Sequence, residues 1–169
     1  MKKKIFLPDI IYRHVWDIDL RDLLRIGISG LILDIDNTLA VADHPDPYEE
    51  VSAWLAAAAD NFSAIILSNN KLGRVAPFAK KLGLKYIHMA LKPIPFNFFK
   101  AAKILGKPPE QLAVIGDQLF TDIAGGNLSN MYTVLVSSPE LEKESGVFSR
   151  AKRWLEKKAL SSGDVPRAL

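Results

Sequence analysis

The sequence predicts an α/β fold built around a mainly parallel sheet. Short apolar runs alternate with longer segments in which apolar and polar residues mix at helical spacing, a rhythm typical of βαβ units. Gly83 and Gly106 follow two of the longer segments, at positions where helices commonly end. The chain has 169 residues and is 49% hydrophobic, enough for one domain with a full core. We therefore expect a single domain over residues 1–169, with its core at about 27–137.

Five apolar runs are predicted to be strands, and four mixed segments are predicted to be the helices that connect them. The expected strands are residues 31–33, 64–67, 86–89, 112–115 and 132–136. The expected helices are residues 48–59, 71–82, 95–105 and 121–128. Since a helix follows each of the first four strands, the strands should run parallel, with helices covering the sheet.

Two aspartates, Asp34 and Asp36, follow the first predicted strand in the sequence Asp-Ile-Asp-Asn-Thr-Leu. Strand residues two apart return to the same face, and ligands of open α/β sheets bind outside the carboxyl ends of the strands. One carboxylate can attack phosphorus while the other transfers a proton, so the pair suits phosphoryl chemistry. Taken alone, it is equally typical of an acidic turn in which Asn37 and Thr38 cap the next element.

Polar residues also follow the second and third predicted strands. Ser68 and Asn69 precede a helix, where a hydroxyl and free backbone amides can hold phosphate oxygens. Lys92 follows the third strand and could neutralise phosphate charge. Viewed separately, an ordinary helix cap and a solvated lysine explain these residues as well.

The fourth predicted strand runs into Gly116, Asp117 and, a few residues later, Asp122. The glycine permits close approach of the backbone, and the two carboxylates are hard oxygen ligands of the kind that hold Mg²⁺. A helix cap is again the simple alternative. Four successive strand ends with residues suited to a phosphate site form a joint signal much stronger than any one of them.

These motifs resemble those of the haloacid dehalogenase-like (HAD) phosphatase superfamily, whose first motif is Asp-x-Asp-x-Thr. The matching residues, in chain order, are Asp34, Asp36, Thr38, Ser68, Lys92, Asp117 and Asp122. The residues within and around these motifs are most similar to those of subfamily IIIA proteins of the YqeG type and of mitochondrial and plant phosphatidylglycerophosphate phosphatases, over about residues 7–136. One departure is Leu91, where similar proteins often carry a basic residue.

The resemblance implies a three-layer α/β/α Rossmann-like core and Mg²⁺-dependent hydrolysis of phosphomonoesters through an aspartyl-phosphate. Asp34 would be the nucleophile, and Asp36 would be the general acid and then the general base. The Mg²⁺ ligands implied by the resemblance are Asp34, the backbone carbonyl of Asp36, Asp117 and Asp122. The groups implied to hold the phosphoryl oxygens are Ser68, the Asn69 amide and Lys92.

The spacing of the motifs limits the substrate. Only 33 residues separate Asp34 from Ser68, and 23 separate Ser68 from Lys92, so no cap domain fits between them. HAD proteins without a cap resemble enzymes that act on large substrates. We therefore expect a phosphorylated macromolecule or a lipid headgroup such as phosphatidylglycerophosphate.

Composition limits the kinds of site the chain can contain and the cellular locations we expect for it. There are no cysteines, which excludes disulfides and thiolate metal sites. The basic start ends in Pro8 and Asp9, too early for a signal peptide, and no apolar run approaches the roughly 20 residues that span a bilayer. We expect a location in the cytoplasm or in the interior of an organelle, with peripheral contact to a membrane.

Charge is concentrated at the two ends. The net charge is +3, to which Lys2–Lys4 contribute +3 and residues 147–169 contribute +4, so the remaining body carries −4. The sequence predicts a basic amphipathic helix at about 147–160, with Phe148 and Trp154 on its apolar face. This helix could pack on the core, lie on an anionic membrane or bind another partner.

Two other classes of protein compete with a phosphatase. A receiver domain also uses an aspartate, a hydroxyl and a lysine around Mg²⁺, but it places its acidic pair before the phosphorylated aspartate and would act as a switch. A HAD fold retained as a non-catalytic scaffold is the other alternative. The sequence shows no clear nucleic-acid motif of aromatics interleaved with basic residues.

Overall fold

The computed structural model describes residues 5–136, which form a six-stranded, fully parallel sheet with helices on both faces. The strands are β1 (Ile10–Tyr12), β2 (Gly30–Leu33), β3 (Ser63–Leu67), β4 (Lys85–Ile87), β5 (Leu112–Gly116) and β6 (Tyr132–Val136). The α-helices are α1 (Leu20–Arg25), α2 (Glu49–Ala58), α3 (Leu72–Leu82), α4 (Pro95–Leu105) and α5 (Ala124–Leu128). Short 3-10 turns cover Val15–Asp17 and Pro109–Gln111, and a π-helical segment covers Leu119–Ile123.

The predicted α/β class is confirmed, but the prediction of five strands was wrong. The sixth strand, β1, is a three-residue edge strand that pairs with β6. It was missed because it is too short to give a periodic signal and follows Pro8 and Asp9. Tertiary contacts hold it instead: the Asp9 carboxylate accepts hydrogen bonds from the Thr133 backbone N–H at 2.8 Å and from its hydroxyl at 2.9 Å.

The predicted helices agree closely with the structure except at the last one. The first three differ by no more than one residue at either end, and α4 has the predicted bounds. The fourth begins earlier, as the π-helical segment Leu119–Ile123, before α5 continues it. The helix α1 was not predicted. The predicted third strand ends at Ile87, since Met89 and Leu91 adopt left-handed backbone conformations with φ of 45° and 53°.

The sheet is the middle of three layers. Alternate residues of β2 face opposite sides: Leu31 and Leu33 pack with residues of α1, α2 and α3, while Ile32 packs with residues of α4. All four residues of β2 are buried, as expected for a parallel strand covered on both faces. The connections β2–β3 and β3–β4 each consist of one α-helix and its loops, which leaves no room for a cap.

The order of the strands fixes where a site can form. The order is β1-β6-β5-β2-β3-β4, so the chain moves outward from β2 to β3 and β4 and then returns to β5 on the other side of β2. This reversal opens a crevice at the carboxyl end of β2, where open α/β sheets bind their ligands.

Two sequence-based expectations fall outside this description. The helix expected at 147–160 and the basic residues Lys2–Lys4 lie outside the described residues. Among residues 5–136, no helix has the length and apolar content needed to cross a bilayer.

Candidate active site

The site begins at Asp34, the first residue after β2. Its backbone N–H donates to the carbonyl oxygen of Ile115 at 3.0 Å, which extends the pairing of β2 with β5 beyond the end of the strand. The side chain is nearly buried in the crevice between β3 and β5. The nucleophile predicted from the sequence therefore lies near the centre of the sheet, directly after a strand that is paired on both sides.

Lys92 is the cation of the site. Its Nζ donates to Asp34 Oδ1 at 2.8 Å and to Asp122 Oδ1 at 2.6 Å, and its side chain is only 3% exposed. A buried lysine needs such partners, because an unpaired charge in the interior costs several kcal/mol. The loop after β4 thus delivers a positive charge to the end of β2.

Asn69 holds that loop in position. Its Oδ1 accepts from the Lys92 backbone N–H at 2.8 Å, and its Nδ2 donates to the Lys92 carbonyl oxygen at 3.3 Å. Ser68 completes the connection, since its carbonyl oxygen accepts from Ala90 N–H at 3.0 Å. The side chain of Asn69 therefore positions Lys92, a role that the sequence did not indicate.

Three carboxylates gather beside Lys92. One carboxylate oxygen from each of Asp34, Asp117 and Asp122 lies within 4.8 Å of the others. The π-helical segment turns Asp122 back toward β5, and its Oδ2 accepts from Gln118 N–H at 3.1 Å. Gly116 makes this possible, because a Cβ at that position would overlap with the Asp122 carboxyl group.

The electrostatics of the cluster indicate a shortage of positive charge. Burial raises the pKa of Asp34 to about 6 even though Lys92 opposes the shift, and the Asp122 carboxylate raises it further. Burial also raises the pKa of Asp122, with Asp117 adding to it. Burial by itself lowers the pKa of Lys92, but the carboxylates of Asp122 and Asp34 outweigh it and raise that pKa above its usual range. Lys92 therefore donates to two of three clustered buried carboxylates, those of Asp34 and Asp122.

A divalent cation fits this donor set. Hard cations such as Mg²⁺ take carboxylate oxygens, and a second positive charge would oppose both the burial and the repulsion between carboxylates that raise the pKa of Asp34 and Asp122. Asp34, Asp117 and Asp122 are the side chains that could hold it. The sequence had also named Asp36 as a ligand, through its backbone carbonyl; its side chain is not part of the cluster.

The carboxylate of Asp36 faces α3 instead. Oδ1 accepts from Arg74 Nη2 at 2.8 Å and from Asp43 N–H at 3.2 Å, and Oδ2 accepts a short hydrogen bond from Asn70 Nδ2. The Arg74 guanidinium also lies over the Phe78 ring, 5.0 Å from its centroid. Asp36 is thus held by one donor from α3 and by one donor from each of the loops that follow β2 and β3, and its carboxylate is not part of the three-carboxylate cluster.

Sequence reasoning missed Arg74 and gave no role to Asn70. One signal was present: Arg74 lies in the first turn of α3, where the helix dipole disfavours a cation. A basic residue at that position is favoured by a partner elsewhere in the chain, and in the structure that partner is Asp36, just beyond the end of the neighbouring strand β2. That Arg74 would reach Asp36 depends on how α3 packs on the sheet, which the sequence does not state.

Ser68, the remaining predicted site residue, lies buried at the end of β3. Its Oγ accepts from the Asn70 backbone N–H at 3.2 Å, which shapes the turn into α3. The N-terminus of α3 follows directly. The side chain of its N-cap residue, Lys71, makes no capping hydrogen bond. The structure thus brings the ends of β2, β3 and β5 and the loop after β4 to one crevice.

Comparison with known proteins agrees with this arrangement. The cobalt-bound deoxy-D-mannose-octulosonate 8-phosphate phosphatase (YrbI) of Haemophilus influenzae superposes with a TM-score of 0.55 at 18% identity, covering 69% of this chain and 74% of that one. That likeness shows the fold.

The sequence comparisons are more specific. A family model described as mitochondrial PGP phosphatase matches residues 1–140. The probable phosphatase YqeG of Bacillus subtilis (strain 168) is 34% identical over 163 residues, which cover 96% of this chain and 94% of that protein. The chain therefore belongs to the mitochondrial PGP phosphatase family, as the resemblance of its motifs had indicated.

A plastid relative is longer than this chain. The chloroplastic phosphatidylglycerophosphate phosphatase 1 of Chlamydomonas reinhardtii is 29% identical over 144 residues. The match covers 79% of this chain but 54% of that protein, so the chain spans about half the length of this relative.

Proposed function

We propose that this phosphatase hydrolyses phosphomonoesters through an aspartyl-phosphate on Asp34 and requires Mg²⁺. One observation carries the proposal: a carboxylate at the topological switch point lies beside a buried lysine and two further carboxylates. This set provides a nucleophile, a cation for the phosphoryl oxygens and a divalent-metal site within one crevice.

The reaction would proceed in two displacements. A carboxylate oxygen of Asp34 attacks phosphorus, the bond from phosphorus to the ester oxygen breaks, and Asp36 gives its proton to the leaving alkoxide. Asp36 then removes a proton from water, whose oxygen attacks the same phosphorus and releases inorganic phosphate from Asp34. Both carboxylates return to their starting states, so the cycle balances.

Binding of the phosphoryl group falls to the surrounding residues. Lys92 Nζ, already 2.8 Å from Asp34, would contact a phosphoryl oxygen, and Ser68 and the Asn69 backbone amide would contact others at the N-terminus of α3. Mg²⁺ on Asp34, Asp117 and Asp122, with the Asp36 backbone carbonyl, would neutralise phosphate charge. Positioning of this kind supplies most of the catalysis in phosphoryl transfer.

For the substrate we propose a lipid phosphate, in the first place phosphatidylglycerophosphate. The family description and the Chlamydomonas relative both name this activity. The single-helix connections β2–β3 and β3–β4 add support, because they leave the crevice open to a headgroup that is attached to a membrane. The enzyme would then work in contact with a membrane surface, in the cytoplasm or in the interior of an organelle.

A substrate comparison tests this proposal. Purified protein should release phosphate from phosphatidylglycerophosphate in detergent micelles with Mg²⁺ and lose this activity with a chelator. Phosphoproteins, nucleotides and sugar phosphates should be poorer substrates by at least about tenfold in kcat/KM. Equal or faster turnover of a nucleotide or sugar phosphate would contradict the lipid assignment, and no release from any phosphomonoester would contradict the mechanism.

Asp36→Asn separates a phosphatase from a receiver-like switch. We expect turnover to fall by about 10²- to 10⁴-fold, the usual contribution of a general acid and base. Mg²⁺ affinity should change little, because the Asp36 side chain is not part of the carboxylate cluster. Isothermal titration with Mg²⁺, run beside the activity assay, checks both statements; a parallel loss of metal affinity and turnover would point to a structural role for Asp36.

A further inference from the structure

Large apolar side chains stand in solvent beside the catalytic lysine. Leu91 is 62% exposed, Ile94 is 55% exposed, and Phe96, in the first turn of α4, is 72% exposed. Met89, in the same loop, is also exposed. We call these four residues the apolar rim. Single exposed apolar residues are common on proteins, but four within eight residues at the mouth of a site are characteristic of a binding surface.

The backbone conformation of the loop places the side chains of Met89 and Leu91 in solvent. Leu91 has φ of 53° and Met89 has φ of 45°, a left-handed conformation that costs free energy for a side chain with a Cβ. Hydrogen bonds hold the loop there: Met89 N–H donates to the Asn70 carbonyl at 2.8 Å, and Asn97 Nδ2 donates to the Ala90 carbonyl at 2.9 Å. The loop that buries Lys92 against Asp34 thus directs its neighbour Leu91 outward.

Within the chain segment that carries the rim, the charged residues have one sign. Residues 85–107 contain five lysines and no acidic residue. On α4, Lys100 and Lys103 follow the exposed Phe96 and Phe99 at helical spacing, and both lysines are exposed. Exposed apolar side chains beside the exposed Lys100 and Lys103, in a segment that holds no acidic residue, match the headgroup region of an anionic bilayer.

A second apolar pair lies at the same edge of the sheet. Phe120, in the π-helical segment that carries Asp122, packs edge to face with Phe6 at 5.3 Å between ring centroids. Both rings remain about half exposed. Since β4 and β5 both end at this edge, exposed apolar groups follow β5, which pairs with β2, and β4, which lies beyond β3 on the other side of β2.

We propose that the apolar rim inserts into the surface of an anionic membrane and so presents the crevice of Asp34 and Lys92 to a phosphate at headgroup depth. The inference rests on the proposed lipid substrate. A second copy of the chain fits this face less well, because two such faces would bring their exposed lysines together, and residues 85–107 offer no acidic residue to pair with them. The four apolar side chains, rather than the charge at the chain ends, would set the orientation of the enzyme.

Co-sedimentation with vesicles tests the surface. The double variant Leu91→Asn/Phe96→Gln removes two rim side chains, and asparagine tolerates the left-handed backbone at position 91. Its partition onto vesicles of phosphatidylglycerol and phosphatidylcholine should fall by at least about tenfold relative to the unaltered protein. The matched control is Leu24→Gln/Ile26→Asn, two exposed apolar residues near the amino end of β2, at the opposite edge of the sheet; it should bind vesicles normally.

Hydrolysis of a soluble aryl phosphate, measured on the same samples, separates the two proposals. Loss of vesicle binding with the aryl phosphatase activity retained is the expected result. Failure of the unaltered protein to bind anionic vesicles, or equal binding by the rim variant, would overturn the inference while leaving the phosphatase intact. A change of mass by size-exclusion chromatography in the rim variant, without a change in vesicle binding, would assign the rim to a second copy and also overturn it.

Lys100→Gln/Lys103→Gln tests the charge independently. This variant should lose affinity for anionic vesicles at low salt and resemble the unaltered protein on vesicles of phosphatidylcholine alone. The rim variant should lose affinity for both kinds. We propose that the rim inserts into the bilayer and that the two lysines attract the anionic surface. If the lysine variant and the rim variant lost affinity equally on anionic vesicles and on phosphatidylcholine vesicles, this division of roles would be contradicted.

Discussion

Asp34→Asn is expected to lower kcat/KM for an aryl phosphate by at least about 10³-fold, since loss of a covalent nucleophile is among the largest single effects in catalysis. An amide oxygen is a poor nucleophile toward phosphorus, whereas asparagine matches aspartate in shape. The change should therefore remove chemistry with little effect on packing. Circular dichroism should show a folded protein.

Two further measurements make the Asp34 prediction specific. Acid quenching with radiolabelled substrate should trap phosphate on the unaltered protein and leave Asp34→Asn unlabelled. Asp60→Asn, an exposed carboxylate just beyond α2, is the matched control and should retain full activity. Turnover by folded Asp34→Asn at the normal rate would show that another group attacks phosphorus.

Lys92→Met is expected to affect both activity and stability. Methionine fills much of the space of the lysine but leaves the buried carboxylates of Asp34 and Asp122 without their shared cation. Removal of one partner from a buried ion pair costs about 3–5 kcal/mol of unfolding free energy. Urea denaturation with a chelator should show this loss, and activity should fall as well because no ammonium contacts the phosphoryl group.

The same variant should respond to Mg²⁺ and to pH in defined directions. Mg²⁺ should recover part of the lost stability, because a divalent cation supplies charge to the same carboxylates. Acid should also reduce the loss. Burial raises the pKa of Asp34 to about 6 in the unaltered protein although Lys92 opposes the rise, so without the lysine this pKa should be higher still. The native variant then takes up a proton at a higher pH than the unaltered protein does, so the destabilisation should be largest at alkaline pH and shrink as pH falls toward 6.

Lys80→Met, an exposed lysine in the last turn of α3, is the control for Lys92→Met. It should change unfolding free energy by no more than about 1 kcal/mol. If Lys92→Met were as stable as the unaltered protein in the presence of chelator at neutral pH, the carboxylates would not depend on the lysine as its contacts indicate.

The sequence was informative where chemistry and topology coincide. Parallel strands align their carboxyl ends, so polar residues after successive apolar runs had to meet at one edge, and Asp34, Lys92 and Asp122 do meet there. The α/β class and most helix bounds were predictable because the spacing of apolar residues indicates each strand and helix locally. The alternation of strands and helices along the chain then indicates a parallel sheet.

What the sequence did not show depends on tertiary contacts. The strand β1 has three residues and exists because Asp9 and Thr133 join it to β6. The link from Asp36 to Arg74 and Asn70 requires the placement of α3 on the sheet, and the outward direction of Leu91 requires its left-handed backbone. None of these contacts and conformations produces a periodic pattern of apolar residues in the sequence.

Gly116 has a consequence for anyone who alters this enzyme. It carries no functional group, yet the carboxyl group of Asp122 occupies the volume in which any side chain at position 116 would begin. A mutant library that protects acidic and basic residues but randomises small ones would disturb the geometry of the carboxylate cluster at this position with every codon except glycine. The space beside a carboxylate is, in this fold, as strictly specified as the carboxylate.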